Sequence, residues 1–396
     1  MSALLSINLR GDRYIWLIAG LLMLASTLLV YSATGSLAHR QRNSDTEYFL
    51  FRHIGISGLG LILMFAVHHI PYKYFGRIAQ FGWIPAILLL LYTLMKGTEM
   101  NDASRWVEIP LLGVSFQSSE WARFAIVLFL ARFLSRHQEE IDQWKAIFLP
   151  LILPVGLTFL LIAPDNLSSA ALFLLVVLLM LGVGSVRFKH LFVLIFGCAF
   201  FISTFVAITY HFDWFRSKTW VSRIETFLSS DLSREPEQIT HARIAIVTGG
   251  LLGKGPGKST QRNFLPQAYN DFIYATLLEE YGIVGGSVIC ILYLGLLFRV
   301  LRAIHRSDNL FGSLLAAGLT MMLTVQALAN MAVAVGLVPV TGQSLPLVSW
   351  GGTSVLFTCI SLGIILSVCR DANSDPYQER QHNTTDRIDT STALPA

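Results

Sequence analysis

The sequence predicts an all-α integral membrane protein of about ten transmembrane helices, with a long extracytoplasmic loop between helices 7 and 8. Three observations carry this. Of 396 residues, 54% are apolar and only 14% charged, too few charges to coat a soluble globule of this length. Apolar stretches long enough to cross the hydrocarbon recur along almost the whole chain. Lys and Arg collect in alternate connections between them.

The stretches are roughly 14–35, 52–69, 76–95, 117–135, 146–163, 167–186, 191–210, 281–301, 311–336 and 350–369. An even number puts both termini on one side. Lys73, Arg77, Arg136, Lys145, Arg187, Lys189, Arg299, Arg302 and Arg306 lie on the side of the N-terminus, so that side is the cytoplasm. Residues 1–13 then form a cytoplasmic N-terminus, 14–369 the membrane domain, and 370–396 a polar tail that reads as disordered. The first apolar run lacks a short core ending in an A-x-A cleavage site, so it is expected to stay in the mature protein.

A net charge of +4 without a Lys/Arg tract interleaved with aromatics argues against nucleic-acid binding. Cys198, Cys290, Cys359 and Cys369 lie in apolar segments without metal or redox spacing and read as packing residues.

Ionisable groups at membrane depth are functional candidates by default. The fourth segment carries Glu120 and Arg123 on one helical face, with Gln117, Ser118 and Ser119 at its outer mouth. Two readings stand: a structural ion pair, or an anion site in which Arg123 joins Arg105 and Arg52. Arg132, Arg299 and Arg302 read as cations snorkelling to the cytoplasmic interface. Gln326 and Asn330, four residues apart, read as interhelical hydrogen-bonding groups.

The loop from 211 to 280 is too long for a connector, so function should concentrate there. Its run Thr248-Gly-Gly-Leu-Leu-Gly-Lys-Gly-Pro-Gly-Lys-Ser259 is not a Walker A motif, because Leu252 stands where the first glycine is needed. The glycines are expected either to bring backbone close to a bulky ligand or to keep the loop flexible, with Lys254, Lys258 and Arg262 adding positive potential. Asp271 follows, beside an aromatic and apolar run. A carboxylate in such surroundings suits proton transfer, but Asp is also a favoured helix N-cap, and residue context leaves the two readings even.

Four motifs then occur in order. Asn101-Asp-Ala-Ser-Arg-Trp106 is similar to N-G-A-R-R-W, and Gln117-Ser-Ser-Glu-Trp-Ala-Arg123 to Q-P-S-E-x-A-K. Leu265-Pro-Gln-Ala-Tyr-Asn-Asp-Phe-Ile-Tyr274 is similar to L-P-E-A-H-T-D-F-I-F. Val338-Pro-Val-Thr-Gly-Gln-Ser-Leu-Pro-Leu-Val-Ser-Trp-Gly-Gly352 is similar to L-P-V-T-G-x-x-L-P-F-V-S-Y-G-G. Together they resemble the SEDS family of shape, elongation, division and sporulation proteins, over about residues 14–369. Gly257-Lys-Ser-Thr-Gln-Arg262 before Leu265-Pro266 looks more like the division branch than the elongation branch.

The resemblance implies a peptidoglycan glycosyltransferase that polymerises lipid II at the outer face of the bacterial inner membrane. It would work with a class B penicillin-binding protein and other division proteins. It places the family's essential aspartate, as general base, on Asp271, and its cationic site residues on Arg52, Arg105 and Arg123, with Glu120 beside them. The family's E-P-D-L-G-T-A turn aligns with Ala163-Pro-Asp-Asn-Leu-Ser-Ser-Ala170 in either of two registers, which makes Asp165 a further candidate and leaves Asn166 as the alternative at the acidic position. No cofactor is implied with certainty, and a divalent cation is left open. The alternatives are a flippase or transporter of lipid-linked precursors, an elongation-type polymerase, and a non-catalytic scaffold.

Overall fold

The computed structural model describes residues 11–35, 46–96, 98–100, 103–109, 114–212, 217–228, 237–265, 268–305 and 307–372. The polar tail beyond 372 and the extreme N-terminus lie outside them. Each predicted apolar stretch falls on helix: α1 (Arg13–Ala33), α2 (Thr46–His69), the pair α3 (Phe75–Phe81) and α4 (Trp83–Lys96), α5 (Ser118–Arg136), α6 (Trp144–Ile162), α7 (Leu167–Val183), α8 (Phe188–His211), α11 (Ile273–Ile304), α12 (Leu310–Ala334) and α13 (Gly352–Ala372). Between α8 and α11 lie two further helices, α9 (Ser217–Leu228) and α10 (Glu237–Gly249).

Among the described residues seven helices are long and apolar enough to cross a membrane, eight if the bent pair counts as one span. The chain is therefore a multi-pass membrane protein. The remaining two stretches fail for physical reasons: α7 has only 17 residues, and α5 carries Glu120, Arg123, Arg132 and Arg136. The stretch 76–95 is not one straight span, because α3 and α4 meet at 54° across Gly82. Pro85 has no N–H to continue the ladder back into α3, and a side chain at Gly82 would meet the Ile78 carbonyl at 2.8 Å.

The connection 96–116 carries secondary structure that hydropathy did not reveal. Strands β1 (Thr98–Met100), β2 (Ala103–Ile109) and β3 (Val114–Gln117) form an antiparallel sheet in which Trp106 lies opposite Gln117, the residue that opens α5. The motif around Arg105 is thus strand, anchored to the mouth of the fourth segment.

Helix α12 is the centre of the molecule and packs against α5, α7, α11 and α13. Small residues set the spacing: a side chain at Gly318 would meet Met180 and Val127, and one at Gly363 would meet the Met64 carbonyl. Helix α8 is at the other extreme, with Thr209 its single buried residue and Phe188, Phe192, Phe196 and Phe200 exposed, the pattern of a lipid-facing helix.

At the opposite end from the sheet, Arg299 is not a solvated snorkel. It pairs with Asp12 at 2.5 Å, while Asp12 also caps α1 through Tyr14 N, and the guanidinium lies 4.5 Å from the Tyr14 ring centre. Arg132 sits 5.5 Å over the Phe311 ring. All four cysteines are free, and Cys359 and Cys369 are buried, in keeping with the packing reading.

Candidate active site

Between α12 and α13 the chain runs from Val335 to Gly351 without a helix, although both neighbours are buried. Irregular backbone inside a membrane body needs a partner for each polar group, and side chains from distant helices supply them. Asn330 Nδ2 donates to the Gln343 carbonyl at 2.7 Å, Gln326 Nε2 to Ser344 at 3.0 Å, and Ser26 Oγ to Val348 at 2.9 Å. Tyr293, fully buried on α11, donates its hydroxyl to Pro346, and Arg223 of α9 reaches Val340 at 3.1 Å. Leu347 adopts φ 63°, a left-handed conformation that a leucine holds only when its surroundings over-determine it.

The loop bearing Asp271 is fastened to this segment by two bonds and to α12 by a third. Trp350 N donates to the Tyr269 carbonyl at 2.9 Å, Ser349 Oγ to Asn270 at 2.7 Å, and Asn330 Nδ2 to Asp271 itself at 2.8 Å. The N-cap of α11 is Phe272, which offers no side-chain acceptor, so Asp271 lies one residue before the cap position. Gly342 stands beside the carboxylate: a Cβ there would lie 3.6 Å from Asp271 Oδ2.

Two of the three predicted arginines meet the same segment. Arg123 is buried and donates from Nη1 to Gln326 Oε1 at 3.4 Å and to Gln343 Oε1 at 3.3 Å. Its Nε has no hydrogen-bond partner among the described residues, and neither has Glu120 Oε2. Arg123 thus turns toward α12, donating to Gln326 and Gln343, rather than closing an ion pair with Glu120. Arg52 lies 5.8 Å over the ring of Trp350, which also meets Phe49 and Tyr269 edge-on. The side chain of Arg105 lies outside the described residues.

Asp165 is placed elsewhere. It lines a crevice with Ser118, Ser119, Thr93 and Asn166, between the C-terminal ends of α4 and α6 and the N-terminal ends of α5 and α7. Asn166 has a structural task of its own as N-cap of α7, its Oδ1 accepting from Ser169 N at 3.0 Å. Among the described residues no three His, Cys, Asp or Glu side chains gather to hold a metal ion.

The glycine-rich run does bring backbones together, but the backbone it meets is the chain's own. Lys254 N donates to the Glu279 carbonyl and Gly255 N to Glu280, both at 2.9 Å, while Ile283 N and Val284 N donate back to Gly250 and Leu251. Added side chains at Gly253 and Gly282 would each come within 2.2 Å of an opposing carbonyl. Gly282, at φ 68°, breaks α11 here, so the predicted span from 281 starts at a kink. Two of the three cations, Lys254 and Arg262, are spent internally as well. Lys254 pairs with Glu279 at 2.6 Å, and Arg262 donates to the Ser32 carbonyl at 2.9 Å and approaches Glu280 at 3.8 Å.

Glu279 and Glu280 are both fully buried, although they stand just before the predicted span at 281 and so outside the apolar stretch. Two adjacent acids entering an apolar run were the available signal. For the segment from 338 to 352 the signal was Pro339, Gly342, Pro346, Gly351 and Gly352 interrupting two apolar helices.

A family described as "Cell cycle protein", that of FtsW, RodA and SpoVE, matches residues 12–374. Stage V sporulation protein E of Bacillus subtilis is 31% identical over 366 residues, 91% of this chain and 97% of that one. The probable peptidoglycan glycosyltransferase FtsW of Hydrogenovibrio crunogenus is 32% identical over 361 residues, 89% of this chain and 90% of that one. Among solved structures, a chain of a peptidoglycan synthase complex, described for its structural coordination of polymerization and crosslinking, aligns with TM-score 0.71 at 25% identity, over 92% of this chain and 99% of that one. The Thermus thermophilus rod shape determining protein RodA aligns with TM-score 0.65 at 25% identity, over 92% and 98%. With a family match over nearly its whole length and the same helical body as solved relatives, the chain belongs to the FtsW, RodA and SpoVE family of cell cycle proteins, the SEDS family that its motifs resemble.

Proposed function

We propose that this chain polymerises lipid II into glycan strands at the outer face of the cytoplasmic membrane, with Asp271 as general base. Peptidoglycan glycosyltransferase is the class of its curated relatives. The observation that carries the residue assignment is convergence: the Asp271 loop, through Tyr269 and Asn270, together with Arg123 and Arg52 all fasten to the one irregular segment between α12 and α13.

In this reading Asp271 takes the proton from the 4-hydroxyl of the acceptor N-acetylglucosamine as that oxygen attacks the anomeric carbon of the donor's N-acetylmuramic acid. The bond to undecaprenyl pyrophosphate breaks and the leaving group keeps the electron pair. Arg52, Arg105 and Arg123 stabilise the charge that develops there. One displacement inverts the anomeric centre, and a single base suffices because pyrophosphate needs no protonation to leave.

The loop from 211 to 280 then faces outward and both termini face the cytoplasm. The partner is a class B penicillin-binding protein, in accord with the synthase complex among the structural relatives. Septal synthesis is favoured by the Gly257-Lys-Ser-Thr-Gln-Arg262 pattern, and depletion in the parent bacterium should give undivided filaments; rounded cells would assign the chain to elongation. Purified chain, its cognate penicillin-binding protein and lipid II should yield glycan strands. Asp271→Asn should reduce the rate by about 10²–10⁴, and an undiminished rate would remove Asp271 from the chemistry.

A further inference from the structure

We propose that Asn330 is a positioning residue, the joint that sets Asp271 against the segment carrying Arg123. The inference rests on Asp271 being the base. The Asn330 side chain is buried on α12, the central helix, and its Nδ2 stands between two carbonyls, that of Asp271 at 2.8 Å and that of Gln343 at 2.7 Å. Each hydrogen of the amide goes to one of them. The opposite amide orientation would set oxygen against two oxygens, so the chemistry admits one assignment.

The amide is held by those two donations alone, because Oδ1 has no donor among the described residues. A buried group with an unsatisfied acceptor costs about 1–3 kcal/mol relative to a satisfied one. An apolar residue of similar size would spare that cost but leave both carbonyls without this donor, so the asparagine is explained by its donations and not by its volume. What the asparagine adds is a bridge between residues 59 and 13 positions away in the chain.

That bridge has a direction. Gln343, whose carbonyl takes one hydrogen, uses its side-chain Oε1 to accept from Arg123 at 3.3 Å, and Gln326, one turn before Asn330, accepts from the same Nη1 while donating to Ser344. A path of three hydrogen bonds therefore runs from Arg123 through Gln343 and Asn330 to the backbone of Asp271. Asn330 touches the backbone of the base and not its carboxylate, so its contribution is placement. Misplacement of a catalytic group by about 1 Å can cost about a hundredfold in rate.

The test compares two variants in the full-length chain with its cognate penicillin-binding protein and lipid II. Asn330→Leu keeps the volume and the helix but removes both donations; Asn330→Asp keeps the shape and turns the donor into an acceptor. Both should lower kcat about a hundredfold while KM for lipid II stays within about twofold. Thr320→Ala, which loses only a bond to its own helix at Ala316, should match the unaltered chain.

An unchanged kcat in Asn330→Leu overturns the assignment, and so does a loss that follows the folded fraction in both variants. Asp271→Asn is assayed beside them. If it is inactive while Asn330→Leu is fully active, only the positioning role falls; if it polymerises normally, the base assignment falls.

Discussion

Gly342 lies against the carboxylate of Asp271: a Cβ built on it would stand 3.6 Å from Oδ2, and its φ of 64° belongs to the left-handed region. Both facts bear on substitution. A side chain here would touch that carboxylate at ordinary van der Waals distance and carries a backbone cost of about 1–2 kcal/mol. Gly342→Ala should therefore lower the polymerisation rate about tenfold, while Gly336→Ala, also left-handed at φ 75° but facing Arg243, should cost stability without that loss. Rates and thermal midpoints of the two purified variants decide the matter; equal rates would place Gly342 outside the site.

Arg52 reaches the site through Trp350, so its charge and its plane are separable. The contact of a guanidinium with an indole face is worth about 0.5–2 kcal/mol. Arg52→Lys keeps the charge but loses the flat fork, and should retain about a tenth of the activity. Arg52→Ala should fall further, and Trp350→Leu should resemble Arg52→Lys. Polymerisation rates over a series of lipid II concentrations, with membrane insertion checked in parallel, measure this; full activity in Arg52→Ala would dismiss the charge.

The apolar body was legible because hydropathy acts over some twenty residues at a time, and each predicted stretch falls on helix. What interrupts the helices was not, since the breaks at Gly82 and Gly282 depend on Ile78 and Leu251 carbonyls that the window averages away. Asp271 and Arg123 were nameable from motifs and Arg52 from its place at the end of the second apolar stretch, yet their meeting point was not. It is made by bonds between residues as far apart as Arg123 and Gln343 or Ser26 and Val348. Asn330 illustrates the limit: spacing marked it as a polar group on a helix, and its partners proved to be a loop and an irregular segment rather than a helix.

Glu279 and Lys254 form a pair of unequal dependence. Glu279 is fully buried and also accepts from Ser259 Oγ, Thr260 N, Thr260 Oγ1 and Gln261 N. Removing Lys254 leaves the carboxylate with these donors; removing Glu279 leaves all of them without an acceptor. Glu279→Ala should cost about 3–5 kcal/mol and Lys254→Ala clearly less. Thermal midpoints in detergent should separate the two by several degrees, and equal shifts would mean that the ion pair dominates the network.

The sharpest test of how the glycine-rich run works contrasts two of its positions, Gly250 and Gly253, with Gly282 of α11, which faces it. Gly253 and Gly282 both sit at positive φ with an opposing backbone carbonyl 2.2 Å from any added Cβ, whereas Gly250, at φ 58°, has nothing within 4 Å. Alanine at Gly250 meets only the conformational cost of about 1 kcal/mol. At Gly253 or Gly282 it must also push α11 away from the run, breaking the paired bonds through Lys254 N, Gly255 N, Ile283 N and Val284 N. Gly250→Ala should accumulate as folded protein, while Gly253→Ala and Gly282→Ala should fail to survive detergent extraction. If Gly253→Ala polymerised lipid II as well as Gly250→Ala, close contact with the chain's own helix would not be what these glycines are for, and the ligand-facing reading would return.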